Sequence, residues 1–231
     1  MTDDATFALA RVHHAFMRPM LDTGRMPSRE DVATTLDMTP RSLSNALDLL
    51  ADTHGVVLDP HSGAPWVMHP FSAAPTATWV EHGKRGWWAA CPWCAFGIAG
   101  LACSDVAIHT RIGGERDPVT IHVTDGKVVE DDLFIHFAVP PRHAWNNVHH
   151  FCATVLPFRS RADVASWCAR HGIAEGETVP INQIWALGRD WYARHADADW
   201  RKWTGAEAAG IFDNSGLTGP FWTFARSSKP F

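Results

Sequence analysis

No apolar run in this 231-residue chain approaches the roughly 20 residues that a bilayer-spanning helix needs. The first residues, Met1-Thr2-Asp3-Asp4, carry neither the basic n-region nor the apolar h-region of a secretory signal. The expectation is a cytoplasmic protein with no membrane partner. Charge is sparse: Asp, Glu, Lys and Arg make up 19% of the chain, with a net charge of -5, which disfavours nucleic acid as the main partner. Cysteine is scarce as well. The five present are an odd number, and a reducing compartment disfavours structural disulfides, so the thiols are expected to be buried, metal-binding or catalytic. Tyrosine is nearly missing, one against twelve tryptophans, a bias that composition does not explain. What is plentiful is apolar side chain, 46% of the residues, enough for a globular core in one large domain or two small ones.

Residues 5–22 read as a helix, with Phe7, Val12, Phe16 and Met20 at helical spacing. Ser28 is a good N-cap for a second helix whose first turn is acidic, and Pro40 suits the first position of a third that carries Leu43, Leu47 and Leu50. Val56-Val57-Leu58 and Trp66-Val67-Met68 flank a turn and read as a hairpin. Helix, turn, helix and hairpin together resemble a winged-helix unit. Such a unit serves either DNA binding or packing, and the single basic residue at the start of the third helix, Arg41, favours packing. Residues 70–87, with Pro70, Pro75, Gly83 and Gly86, read as a linker holding one short strand at 76–80. Beyond it, Cys94 to Cys103 reads as a tightly packed helix, 107–112, 119–123 and 133–139 as strands, and 148–156 as a strand or a buried helix edge. Ser160 opens a helix that Gly172 stops, and 181–195 is another. The tail at 200–222, with Trp200, Trp203, Phe212, Phe221 and Trp222, is expected to dock on the core.

The chemistry concentrates in Trp87-Trp88-Ala89-Ala90-Cys91-Pro92-Trp93-Cys94-Ala95-Phe96-Gly97 and in His149-His150-Phe151-Cys152. A thiolate is both a nucleophile and the softest ligand a protein has, so thiols in these settings point to redox or soft-metal chemistry. The Cys91-Pro92-Trp93-Cys94 pair fits a thioredoxin-like redox motif, although the strand order around it does not. It also fits half of a structural zinc site, with Cys152 and His149 as the other half, or two buried thiols with no chemistry.

Trp93-Cys94-Ala95-Phe96, the later Phe151-Cys152 and the helix-turn-helix upstream resemble the alkylmercury (organomercurial) lyase family. That family carries Trp-Cys-Ala-Leu-Asp and a later Phe-Cys. The stretch from Phe151 to Ser160, the helix from Ala162 to Trp167 and Ala186-Leu187-Gly188-Arg189-Asp190 extend the resemblance over roughly residues 25–195. The chain is identified as a divergent member, because Gly97 stands where the family has its catalytic Asp.

The resemblance implies that Cys94 and Cys152 bind the mercury of an R–Hg compound and that a positioned acid protonates the leaving carbon. No organic cofactor is implied, and Hg(II) or another soft metal is substrate and product. Candidates to replace the missing acid are Cys91, Asp105 and the His149-His150 pair; Cys91 and His149 are also candidate metal ligands. Trp87, Trp88, Trp93 and Phe151 are expected to wall the pocket. The implied fold class is α+β: a winged-helix-like helical module over 1–70, a mixed or antiparallel sheet core flanked by helices over 71–199, and a Trp-rich extension over 200–231. The implied function is thiolate binding of organomercury or Hg(II) with protonolysis of the C–Hg bond, and hand-off of the metal to a thiol-based metal reductase. Two other readings stay open, a non-catalytic soft-metal (Hg, Cu or Zn) binder or sensor, and an enzyme that reuses the pocket on a non-mercurial substrate. The sequence does not fix the oligomeric state.

Overall fold

The computed structural model describes residues 3–223. Met1 and Thr2, part of the leader reading, and 224–231, the end of the expected extension, lie outside the described residues. The N-terminal helices form where caps and periodicity direct them. In α1 (Asp3–Thr23), Val12, Phe16 and Met20 are buried at helical spacing, whereas Phe7 is exposed. Ser28 accepts a hydrogen bond from the Asp31 N–H to open α2 (Arg29–Thr35). Thr39 does the same from Ser42 for α3 (Pro40–Asp52), which has Pro40 in its first turn and buries Leu43, Leu47 and Leu50.

The expected hairpin is present as β1 (Val57–Leu58) and β2 (Pro65–Met68). The expected linker is not a linker. Residues 70–87 contribute to three strands, β3 (Phe71–Ser72), β4 (Thr78–His82) and β5 (Arg85–Ala89). Pro70 and Pro75 lie outside these strands, Gly83 makes the β4–β5 turn at positive φ, and the ring of Trp79 covers Gly86. Strands β6 (Val106–Arg111), β7 (Pro118–Thr124) and β8 (Lys127–Val128) complete one eight-stranded sheet in the order β1-β2-β3-β5-β4-β6-β7-β8. The sheet is therefore continuous across residue 70. A second sheet orders β10 (Leu156–Phe158), β9 (Phe134–Phe137) and β11 (Glu177–Pro180). The pairings described in both sheets are antiparallel, and the chain is α+β.

Helix α4 (Pro92–Ala102) occupies the centre. It is buried all round its first two turns, lying on β4, β5 and β6 with α7 (Ile181–Tyr192) packed over it. The 148–156 stretch divides into α5 (Val148–Ala153), capped by Asn147, and the start of β10. Ser160 caps α6 (Arg161–His171), which Gly172 ends at positive φ. Beyond α7, the tail docks on the core. Trp200, Phe212 and Trp222 are buried, and a Thr204–Glu207 capping box opens α8 (Gly205–Asn214). One core cluster extends from Leu9 to Trp222. Among the described residues no helix is long and apolar enough to cross a membrane.

The α4–α7 crossing is close because both helices are stripped of side chain there. A Cβ added to Gly188 would stand 2.7 Å from the Phe96 Cβ, and one on Gly100 would stand 3.1 Å from the Arg189 Cα. In an exposed helix, Gly→Ala stabilises by about 1 kcal/mol. At Gly188 the sign is expected to reverse, with Gly188→Ala destabilising by about 1–3 kcal/mol through overpacking. Chemical denaturation measures this, and stabilisation by the substitution would contradict the close packing.

Candidate functional site

The site is assembled at the first turn of α4. Strand β5 delivers the chain to Cys91, whose extended backbone makes it the N-cap of α4, and Pro92 fixes the first helical turn. The Cys91 Sγ accepts from the Cys94 N–H at 3.5 Å and lies 3.4 Å from the Cys94 Sγ. From the opposite side, α5 presents Cys152, buried beside Phe151. His69, in the connection between β2 and β3, places its Nε2 3.8 Å from the Cys152 Sγ. The ligand atoms of His69, Cys94 and Cys152 all lie within 4.8 Å of one another. The last residue of α7, Tyr192, brings its hydroxyl to 3.3 Å from the Cys94 Sγ.

Three buried sulfurs cannot all be charged, and the surroundings select one. Burial opposes ionisation of Cys94. Hydrogen bonds from Cys152 and Cys91, the nearby His69 ring and the Tyr192 hydroxyl outweigh it, and hold this thiol well below its ordinary range. The helix N-terminus adds to the same effect. Burial pushes the Cys91 thiol well up. Cys152 is raised chiefly by donating to the other two sulfurs, with burial adding to it. Burial, and then the charge on Cys94, raises Tyr192 well above the phenol range, so its proton is retained. The resting site is one thiolate held by neutral donors.

Gly97 follows Cys94 by one helical turn. A Cβ there would meet the Tyr192 ring at 2.1 Å. The space a side chain on residue 97 needs is already filled by the only tyrosine in the chain.

Two chambers meet at the sulfurs. An outer one of about 350 Å³ is lined by Cys91, Cys152, His69, Trp66 and His149 among others. An inner one of about 50 Å³ is lined by Cys94, Cys152, Tyr192, Trp93, Phe151 and further aromatic residues. Both share His69, Val148 and Cys152.

The structure brings together Cys91, Cys94, Cys152, Trp93 and Phe151. Five expectations are corrected. Asp105 is exposed beyond the far end of α4, where its carboxylate accepts from the Asp125 N–H, and it is not in the site. His149 is exposed against the Trp66 ring, and His69 takes the ligand position expected of it. His150, next to it on α5, is likewise exposed. Trp87 and Trp88 line neither chamber; strand alternation turns Trp88 against Trp79 and Trp87 into the core, where it donates to the Met20 carbonyl. The other two cysteines lie elsewhere: Cys103 is exposed at the end of α4, and Cys168 sits in a second small core near His136. Sequence reasoning missed His69, Tyr192, Trp145, Trp191 and Trp200. The rarity of tyrosine was a signal for one of them.

Residues 71–193 match the family model described as alkylmercury lyase, a span of more than half the chain. Among solved structures, the crystal structure of the mercury-bound form of MerB2 is similar, with a TM-score of 0.62 and 17% identity, covering 82% of this chain and 97% of that one. No curated protein matches the sequence.

Ionisation of Cys94 is checked by the ultraviolet thiolate band. The band is expected at neutral pH in the wild type and in Cys103→Ala, and is expected to vanish in Cys94→Ala. A band that forms only near the ordinary thiol pKa of about 8.5 would contradict the assignment.

Proposed function

The chain belongs to the alkylmercury lyase family, and on that premise we propose that it binds organomercury through Cys94 and Cys152 and cleaves the C–Hg bond by protonolysis. The observation that carries this reading is the convergence of a thiolate, a second thiol and an imidazole within 4.8 Å, at the wall of an aromatic chamber. Soft sulfur matches mercury, and a low-dielectric surround strengthens each interaction.

The steps balance without an added reactant. The Cys94 thiolate takes the mercury of R–Hg–X and X⁻ leaves. The Cys152 thiol then adds to mercury as its S–H proton is given up. Electron donation from two sulfurs weakens the C–Hg bond, and its electron pair takes a proton. The products are R–H and Hg(II) held by two thiolates. Tyr192 is the group we assign to hand that proton to carbon, in the place of the family's Asp. It sits 3.3 Å from Cys94 and retains its proton at rest. Once mercury neutralises the Cys94 thiolate, one cause of its raised pKa is removed, and the hydroxyl becomes a better acid. The proton leaving Cys152 restores it. Cys91, 3.4 Å from Cys94, serves as a third sulfur for the product metal.

A second reading has support from the same atoms. Three sulfurs and one imidazole suit soft-metal binding without turnover. Incubation with phenylmercury and excess thiol separates the two through benzene release and protein-bound mercury. Benzene release is expected from the wild type and not from Cys94→Ala or Cys152→Ala. Cys91→Ala is expected to release benzene and to hold Hg(II) more weakly. Mercury bound without benzene would support the binder, and benzene undiminished in either of the first two variants would contradict the assigned ligands.

A further inference from the structure

Lys202 lies in the segment between α7 and α8 and reaches the inner chamber, where its Nζ stands 5.1 Å from the centre of the Trp145 ring. It is partly buried, and among the described residues no carboxylate pairs with it. Among the described residues that line the chamber there is no Asp or Glu. Apart from the sulfurs, the Tyr192 hydroxyl and the tryptophan indoles, its polar side chains are Lys202, His54, His69 and His195. Burial lowers the pKa of His54 and His195, and among the described residues that line the chamber Lys202 is the one Lys or Arg beside the three histidines. Two of them carry unmet hydrogen-bonding capacity: the buried Nδ1 atoms of His69 and His195 have no partner among the described residues. Burial likewise pulls the Lys202 ammonium down to about 7, a cost that an arriving anion would remove.

A buried ammonium without a counter-charge is expensive, and buried polar atoms are ordinarily satisfied. A cation, two unpartnered imidazole nitrogens and aromatic walls make up a receptor for a small carboxylate with an apolar body. The thiolate and Tyr192 line the same chamber, so a ligand seated there lies alongside the reacting groups. We propose that the inner chamber is a carboxylate-recognition site, with Lys202 its specificity-determining residue, and that the preferred organic group carries a carboxylate on a short alkyl or aryl body. This rests on the lyase reading for the chemistry, but not for the binding.

The test therefore starts without mercury. Acetate and benzoate are titrated into the full chain by calorimetry, with tryptophan fluorescence as a second readout because Trp93, Trp145, Trp191 and Trp200 line the chamber. At least one anion is expected to bind the wild type and Lys202→Arg, and to bind Lys202→Met about tenfold or more weakly, in keeping with a lost charge-assisted contact of about 1.5–3 kcal/mol. Circular dichroism establishes that Lys202→Met is folded, and Lys202→Gln provides a second uncharged variant. Equal binding to wild type and both uncharged variants, or binding of neither anion to the wild type, overturns the proposal. In a second arm, 4-carboxyphenylmercury is compared with phenylmercury. The wild type is expected to favour the carboxylate by kcat/KM, and Lys202→Met to lose that preference while still cleaving phenylmercury. Anion binding with no cleavage of either compound would overturn the lyase reading and leave the carboxylate site standing.

Discussion

The close crossing of α4 and α7 is the constraint on which the site depends. Three glycines let the two helices approach: a side chain on Gly97 or Gly188 would collide, and one on Gly100 would be tight. That approach carries the end of α7 onto the first turn of α4 and sets a phenol against a thiol 98 positions away in sequence. Glycine at position 97 is then a geometric necessity, because a Cβ there would meet the Tyr192 ring at 2.1 Å. The ring of Tyr192 fills the room that a carboxylate would need. In the proposed reaction the acid is supplied from α7, by Tyr192.

Charge distribution follows from the same geometry. The three sulfurs crowd so closely that they share one negative charge, and the donors around Cys94 fix it there. Cys152 keeps a proton, and in the proposed reaction it brings a second sulfur and the proton that restores Tyr192. The thiols lie at the junction of two chambers of different character. The inner one is narrow, aromatic and cationic, while the outer one is larger and touches Cys91 rather than Cys94. In the proposed reaction the organic group and the product metal face different walls.

Much of the fold was legible because local signals suffice for it. Ser28, Ser160 and Gly172 mark helix ends through hydrogen bonds to their own neighbours, and Pro40 marks one through its fixed φ. The alternation in β6 and β7 needs only the period of a strand. Residues 70–87 misled because proline and glycine signify a break in sequence, whereas here they lie between strands, in a turn and beneath an aromatic ring. Cys94 and Cys152 stood out by their aromatic company, and Trp93 and Phe151 came with them. Trp88 did not follow, since adjacent strand residues face opposite ways and sequence does not say which faces inward. His69, Tyr192 and Lys202 are single residues on separate elements. Only tertiary packing joins them, and no spacing along the chain announces it.

The most direct test of this account is the single-turnover rate of phenylmercury protonolysis in Tyr192→Phe. That substitution removes one oxygen and retains the ring that packs on Gly97, so the α4–α7 crossing and the thiols stay in place. The account predicts that phenylmercury still binds stoichiometrically while benzene formation slows by about 10²-fold or more, the ordinary loss when a positioned general acid is removed. An unchanged rate with mercury bound as before would contradict it and return the proton to one of the thiols.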